Sequence, residues 1–294
     1  MKNKALLLLL SAGLIFGCTN PETVKEPIEP EPKKDTLYLG LIPPTSKSVL
    51  FAPGIVSTNS LEINAAFSPT LDEFYFTRQK KGETPQIVGI QFRNGVWEEY
   101  LEMPYSGEPF LSADGQKMYL ANVYREQTDS GWSEEKSMGE MFAPYEIMRL
   151  TASTNNTFFF DERDTIGTIW YSELKEGIRQ PPIALAKHIN TGTYTAHPFI
   201  APDESYLIWD SNREGGFGDS DLYISFKQED GSWGEAINMG AEINSDMEDA
   251  FGSVTPDGKY FLFHRVKMGE TFEDCDANIY WIDAQIIEEL RLNQ

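Results

Sequence analysis

Short runs in which apolar and polar residues alternate, separated by turn-forming clusters, recur from about residue 60 to the end of the chain. "FYFT", "YLIW" and "KYFLF" combine this period of two with aromatic and β-branched side chains, the character of strands with one buried face. Between them, "SADG", "APDE" and "TPDG" hold the Pro, Asp and Gly that tight turns require. Helical spacing is confined to "AQIIEELRL" near the C-terminus. The pattern predicts an all-β protein.

The strands belong to a repeat. Five segments align: "AAFSPTLDEFYFTR" from Ala65, "EPFLSADGQKMYLAN" from Glu108, "IMRLTASTNNTFFFDER" from Ile147, "HPFIAPDESYLIWDSNR" from His197 and "AFGSVTPDGKYFLFHR" from Ala250. Each reads as strand, turn, strand. A third strand follows in most copies, such as "DLYISF" from Asp221, then a hairpin ending in Trp97, Trp132 or Trp233, then a short fourth strand such as "GEAINMG". Four strands in a unit of roughly 35 to 55 residues predict the blades of a single β-propeller. The second copy is short, and no clear third strand separates Leu120 from Trp132, so one reduced blade is expected.

The last copy lacks a fourth strand, while "APGIV" near Ala52 has the fourth-strand context of "GEAINMG" without three strands before it. The expectation is five blades closed by this N-terminal strand, which removes the sheet edges that invite aggregation. Six blades, one hidden in the first fifty residues, is the alternative. The "PDG" turns, "SNREGG" with "DLYIS", the "DGSW" hairpin and "NIYWIDAQIIEEL" resemble the WD40-like, TolB-type propeller repeats of secreted bacterial proteins. The resemblance spans nearly all of residues 37–294 and is strongest in the fourth copy. The first and third copies depart from it, with "PTLDE" and "STNN" in place of "PDG".

The N-terminus adds an address. Lys2 and Lys4 precede an apolar run from Ala5 to Phe16, too short to span a bilayer as a helix, and Gly17 stands before Cys18. Residues 1–17 read as a secretory signal. "LIFGC" resembles the bacterial lipobox, which implies cleavage before Cys18, acylation of that cysteine and a lipid anchor in the cell envelope. Known sorting rules, applied to the residues after Cys18, favour the outer membrane. Residues 18–36, rich in Pro, Glu and Lys, read as a tether.

Charge narrows the partners. With 46 acidic against 24 basic residues the chain carries a formal charge of -22, which repels nucleic-acid backbones. Only Cys275 accompanies Cys18, so no disulfide within the mature domain is expected.

Most conspicuous residues have a place in the repeat. The tryptophans occupy repeated hairpin and strand positions and read as packing groups. Arg78, Arg163, Arg213 and Arg265 follow second strands and should lie near Glu62, Glu108, Glu146, His197 and Glu248. They read either as inter-blade salt bridges or as a polar funnel at the channel mouth. The candidate ligand face comprises Glu108, Arg149, His197, Arg213, Glu248 and Arg265. His197 and Arg149 depart most from their counterparts. The three histidines lack zinc-site spacing. Asp210, Asn212, Asp219 and Asp221 offer oxygen ligands for calcium, although a glycine-rich connection explains the same residues. No cofactor is otherwise implied.

No G-x-S-x-G elbow, HExxH pair or phosphate-binding glycine loop occurs. The expected function is a non-catalytic envelope module that binds or scaffolds a protein or glycan. The alternative is a propeller-fold glycan hydrolase or lyase.

Overall fold

A computed structural model describes residues 37–271 and 274–293. The signal, the lipid-attachment reading of Cys18 and the tether lie outside the described residues. The rest forms a five-bladed β-propeller.

Strand β1 (Val49–Leu50) is the closing strand. Blade 1 contains β2 to β5 (Leu61–Phe67, Glu73–Gln79, Gln86–Arg93, Val96–Pro104). Blade 2 contains β6 to β8 (Pro109–Leu111, Lys117–Leu120, Val123–Thr128), a short β9 (Gly131–Trp132) and β10 (Lys136–Ser137). Blade 3 is built from β11 to β13 (Leu150–Ala152, Phe158–Glu162, Thr168–Ser172) and β16 (Ile183–Ala184), with the hairpin β14–β15 (Leu174–Lys175, Ile178–Arg179) inserted before the last strand. Strands β17 to β20 (Tyr194–Ile200, Tyr206–Asn212, Asp221–Phe226, Ile237–Asn238) form blade 4. Blade 5 takes β21 to β23 (Glu248–Val254, Tyr260–Lys267, Asp276–Asp283) and is completed by β1, with Val49 opposite Trp281 and Leu50 opposite Tyr280. Helix α1 (Gln285–Leu292) follows and packs Ile287 among the apolar groups of blades 4 and 5.

Closure occurs where the repeat predicts it, with one adjustment. The pairing lies just before "APGIV", at Val49 and Leu50, and continues through the Phe51 N–H to the Ile279 carbonyl at 2.8 Å. Ala52 has a positive φ of 45°, and its carbonyl accepts from the amides of Ile55 and Val56. The segment is therefore the turn after the fourth strand, as is the corresponding segment from Gly240, whose carbonyl accepts from Ile243 and Asn244.

Blade 2 is short but retains the four-strand order β6-β7-β8-β10, with β9 added on β8. Its first two strands are three and four residues long. Its third, "VYREQT", has no fully buried position, whereas "QIVGIQFR" of blade 1 buries five in succession. A strand so solvated carries no period of two, which is why the sequence pattern concealed it.

The core lies between blades. Among the described residues six apolar clusters each join two neighbours, two of them at the seam between blades 5 and 1, which carries Phe51, Phe67, Phe74, Phe76 and Trp281. The hairpin tryptophans extend these seams backward. Trp132 packs edge-on to Tyr75 and donates to its hydroxyl at 3.1 Å, and Trp233 packs edge-on to Phe159. Burial of such rings contributes roughly 1.5–3 kcal/mol each, so the ring is held by its seams.

Candidate functional site

Register brings ten residues to equivalent places. The first and second strands of the blades pair Ala66 with Tyr75, Phe110 with Tyr119, Thr151 with Phe159, Phe199 with Ile208 and Ser253 with Leu262. Two residues before the first member of each pair stand Asn64, Glu108, Arg149, His197 and Phe251. Two residues after the second stand Thr77, Ala121, Asp161, Asp210 and His264. These side chains converge on the central channel, since Glu108 of blade 2 reaches His197 of blade 4, and Arg149 of blade 3 reaches blade 5.

The backbone prepares this convergence. Bulges interrupt β2, β17 and β21, and Asn64, His197 and Phe251 at the bulges have φ of 63°, 50° and 58°. Such conformations cost about 1–3 kcal/mol at a residue other than glycine and need external support. Neighbouring blades supply it. Asp161 accepts from the amides of Met148 and Arg149 and, across the seam, from that of His197 at 2.8 Å. Asp210 accepts from the Phe251 amide at 3.0 Å. Two buried carboxylates thus lock the first strands of blades 4 and 5.

His197 stands between acids. Its Nδ1 lies 2.9 Å from Asp210 Oδ1 and its Nε2 lies 3.3 Å from Glu108 Oε1. Burial opposes its charge, but Asp210 and Glu108 outweigh that and hold the imidazole well above its ordinary pKa. At neutral pH it is an imidazolium. Around it, burial raises the Glu248 carboxyl, reinforced by Asp210, and pushes the Tyr194 hydroxyl up to about 12. Burial also raises the Tyr105 hydroxyl, with Glu108 adding to the effect. His264 has the opposite fate: burial, then the charges of His197 and Arg149, hold it well below its ordinary value and therefore neutral.

Arg149 divides the channel. Its guanidinium donates through Nη1 to the carbonyls of Gly252 at 2.9 Å and His197 at 3.2 Å, and lies 3.5 Å from the centre of the Phe251 ring. Burial pushes its pKa down to about 10, against the pull of Glu108, Asp210 and Asp161, so it remains a cation. On one side are the acids and His197. On the other is a cavity of about 340 Å³ with contributions from all five blades. Several polar atoms at this level are buried without partners among the described residues, namely Asn64 Oδ1, Glu108 Oε2, Arg149 Nε and His264 Nδ1.

Of the six residues chosen from sequence, Glu108, Arg149 and His197 meet directly. Glu248 lies close enough to Asp210 and His197 to feel their charges. Arg213 and Arg265 are engaged elsewhere. Arg213 donates to the carbonyls of His188 and Ile189, and Arg265 binds Asp249 at 2.7 Å and the Ile243 carbonyl. The expected inter-blade salt bridges are instead internal to blades: Arg78 pairs with Glu62, and Arg265 with Asp249 rather than Glu248. Arg163 meets Glu146 through a backbone hydrogen bond. Each arginine stands near the end of its own second strand or directly after it, so the start of the adjacent first strand is nearer than the next blade.

The calcium set is not assembled. Asp210 faces His197, whereas Asp221 accepts from the amides of Phe217 and Gly218 and from Asn238 Nδ2. Among the described residues no group of three or more His, Cys, Asp or Glu has the arrangement of a metal site. The glycines of this loop answer to contact: a Cβ at Gly218 would stand 2.0 Å from the Met247 carbonyl oxygen.

Sequence reasoning overlooked Asp161, Tyr105, Tyr194 and His264, and treated Asp210 only as a metal ligand. A signal existed for two of them: Asp161 and Asp210 each follow the last large apolar residue of a second strand, where Thr77, Ala121 and His264 stand in the other copies.

No family model matches the chain, and no curated protein matches it. Solved structures do. The catalytic domain of the Coprinopsis cinerea GH62 alpha-L-arabinofuranosidase superposes with a TM-score of 0.51 over 81% of this chain and 97% of that one, at 10% identity. TolB from Acinetobacter baumannii gives 0.46 over 76% of this chain at 13% identity, and a thermostable family-43 glycoside hydrolase gives 0.47 over 77% of this chain and 91% of that one at 14% identity. The chain spans 57% of the length of that TolB. At such identities the likeness is one of fold alone: the protein is a five-bladed propeller with TolB-type propellers and propeller-fold glycoside hydrolases among its structural neighbours.

Proposed function

We propose that this propeller is a non-catalytic recognition module of the bacterial cell envelope, anchored through Cys18, that binds a protein or glycan at the mouth where Glu108, His197 and Glu248 gather. The observation that carries this reading is the use to which the channel carboxylates are put. Asp161 and Asp210 are buried and hold the bulged amides of the next blades, so their lone pairs serve the frame. Catalytic acids and bases need a carboxylate free to meet the reacting atoms. Rigid display at a preformed mouth needs only the frame. The signal, the lipid anchor and the outer-membrane address rest on the N-terminal sequence.

The test is affinity capture from solubilised envelope, in parallel with a glycan array, using the full chain. A protein or glycan retained by the wild type and bound on the order of tenfold more weakly by His197→Ala and Glu108→Ala supports the reading. Retention of nothing, or equal retention by both variants, overturns it.

A hydrolase is the second reading, favoured by one observation: burial and Asp210 raise the Glu248 carboxyl, as a general acid at the mouth would require. Release of reducing ends from a polysaccharide panel, abolished by Glu248→Gln, would replace the first reading with this one.

A further inference from the structure

The channel continues beyond Arg149, on the face where first and second strands are joined by turns, as a cavity of about 340 Å³. Its wall is mostly apolar and fivefold, with Ala66, Phe110, Ala152, Phe199 and Val254 each from a different blade and Ser112, Thr154, Ser253 and Thr255 between them. It leads outward past Pro69, Pro202 and Pro256 in the turns. Arg149 is the charged group of its lining. That side chain is 1% exposed, has no carboxylate within ion-pair distance among the described residues, and leaves its buried Nε without a hydrogen-bond partner.

We propose that this cavity is a second binding site, for a small monocarboxylate with an aliphatic or aromatic body, whose carboxylate accepts from Arg149 while the body fills the apolar wall. The site is separate from the mouth, and the inference does not depend on what the mouth binds. Small-molecule pockets begin at about 300 Å³ and combine mostly apolar walls with a few placed polar groups, which is the composition seen here. A planar guanidinium in a dry surrounding selects a carboxylate over a neutral acceptor, because charge-assisted hydrogen bonds are the stronger. The acids that share the region do not supply this acceptor. Asp161 is occupied by three amides, and Asp210 by the Phe251 amide and His197; Glu108, whose Oε2 is unpartnered, turns Oε1 to His197 at 3.3 Å and makes no ion pair with Arg149 among the described residues. Arg149 keeps its positive charge at neutral pH despite burial.

Titration calorimetry of the full chain with octanoate, octanamide and octylamine tests the assignment. Saturable binding of octanoate at one site is expected, with octanamide on the order of tenfold weaker and octylamine weaker still. Ala152→Phe, which fills the wall and leaves Arg149 in place, should abolish octanoate binding without altering retention at the mouth. Arg149→Met should remove the preference for octanoate over octanamide. Absence of saturable octanoate binding to the wild type, equal affinity for octanoate and octanamide, or undiminished binding by Ala152→Phe overturns the proposal. The wild-type series decides even where a variant does not fold.

Discussion

The two ends of the central channel are built from the same ten repeat positions and their neighbours, yet they differ in every physical respect. Towards the mouth, Glu108, Asp161, Asp210 and Glu248 surround an imidazolium; Asp161 and Asp210 are committed to backbone amides, while Glu108 Oε2 is left without a donor. Towards the turns, the wall is mostly apolar, chiefly Ala, Phe, Pro and Val with Ser112, Thr154, Ser253 and Thr255 among them. Arg149 separates them, bonded through Nη1 to carbonyls of two blades and stacked on a third surface, Phe251. The difference teaches that fivefold repetition specifies the frame, while single departures from it specify chemistry. One arginine in place of Asn64's or Glu108's type of side chain is enough to split a channel in two.

The comparison can be broken most severely at its divider. Arg149→Met should lower unfolding free energy by about 3 kcal/mol, since the carbonyls of Gly252 and His197 lose a charged donor inside the protein. Denaturant titration would measure it, and a loss below about 1 kcal/mol would deny Arg149 this structural role. Next comes the mouth alone. Asp210→Asn keeps an acceptor for the Phe251 amide but removes the charge facing His197, for an expected loss of about 2 kcal/mol at pH 6 and a fall in the His197 pKa readable by NMR.

A sharper probe uses pH, because the two histidines titrate in opposite senses. His197 has a raised pKa when folded, so the folded state binds more protons than the unfolded state above about pH 6.5, and its contribution is full below that pH. It is lost as pH rises through the raised value. His264 has a lowered pKa when folded, so its contribution is full above about pH 6.5 and is lost as pH falls from there towards the lowered value. His264→Phe should therefore flatten the acid limb of the stability curve below about pH 6.5, and leave the alkaline limb to His197. An unchanged acid limb would place the acid sensitivity elsewhere.

The smallest effect belongs to the turn-side rim. Glu204 of blade 4 accepts from Ser153 and Thr157 of blade 3 and pairs with Lys227. Burial alone would raise its pKa, but these partners prevail and bring it to about 2. Its stabilisation is present above the unfolded value near 4.3 and disappears as pH falls through about 2. Because solvent screens the pair, Glu204→Gln should cost only about 1 kcal/mol at neutral pH, which thermal denaturation can resolve.

Much of the frame was legible because a blade is a local object. Its strands alternate, its turns carry Pro, Asp and Gly, and its tryptophans recur, so five copies and their closure could be counted from "FYFT", "YLIW" and "KYFLF" outward. Blade 2 resisted because its third strand, from Val123, packs on too little to need alternation. The site was half legible. His197 and Arg149 stood out by breaking the repeat, whereas Asp161 and Asp210 were hidden by having an ordinary place within it. Arg213 and Arg265 misled, since a position after a second strand says nothing about which carbonyl or acid a long side chain will reach.

By itself the sequence determined most of the strands, five blades as the favoured count over six, the neighbourhood of the closing strand and an acidic chain of net charge -22, all of which follow from spacing and composition. The tertiary structure alone decided that Glu108 would face His197 from 89 positions away in the chain, by subtraction of their numbers, and that Arg149 would cross to blade 5. The physical reason is the ring. Equivalent positions of a propeller meet at its axis only after the last blade closes on the first, so a contact across the channel has no counterpart in any local pattern.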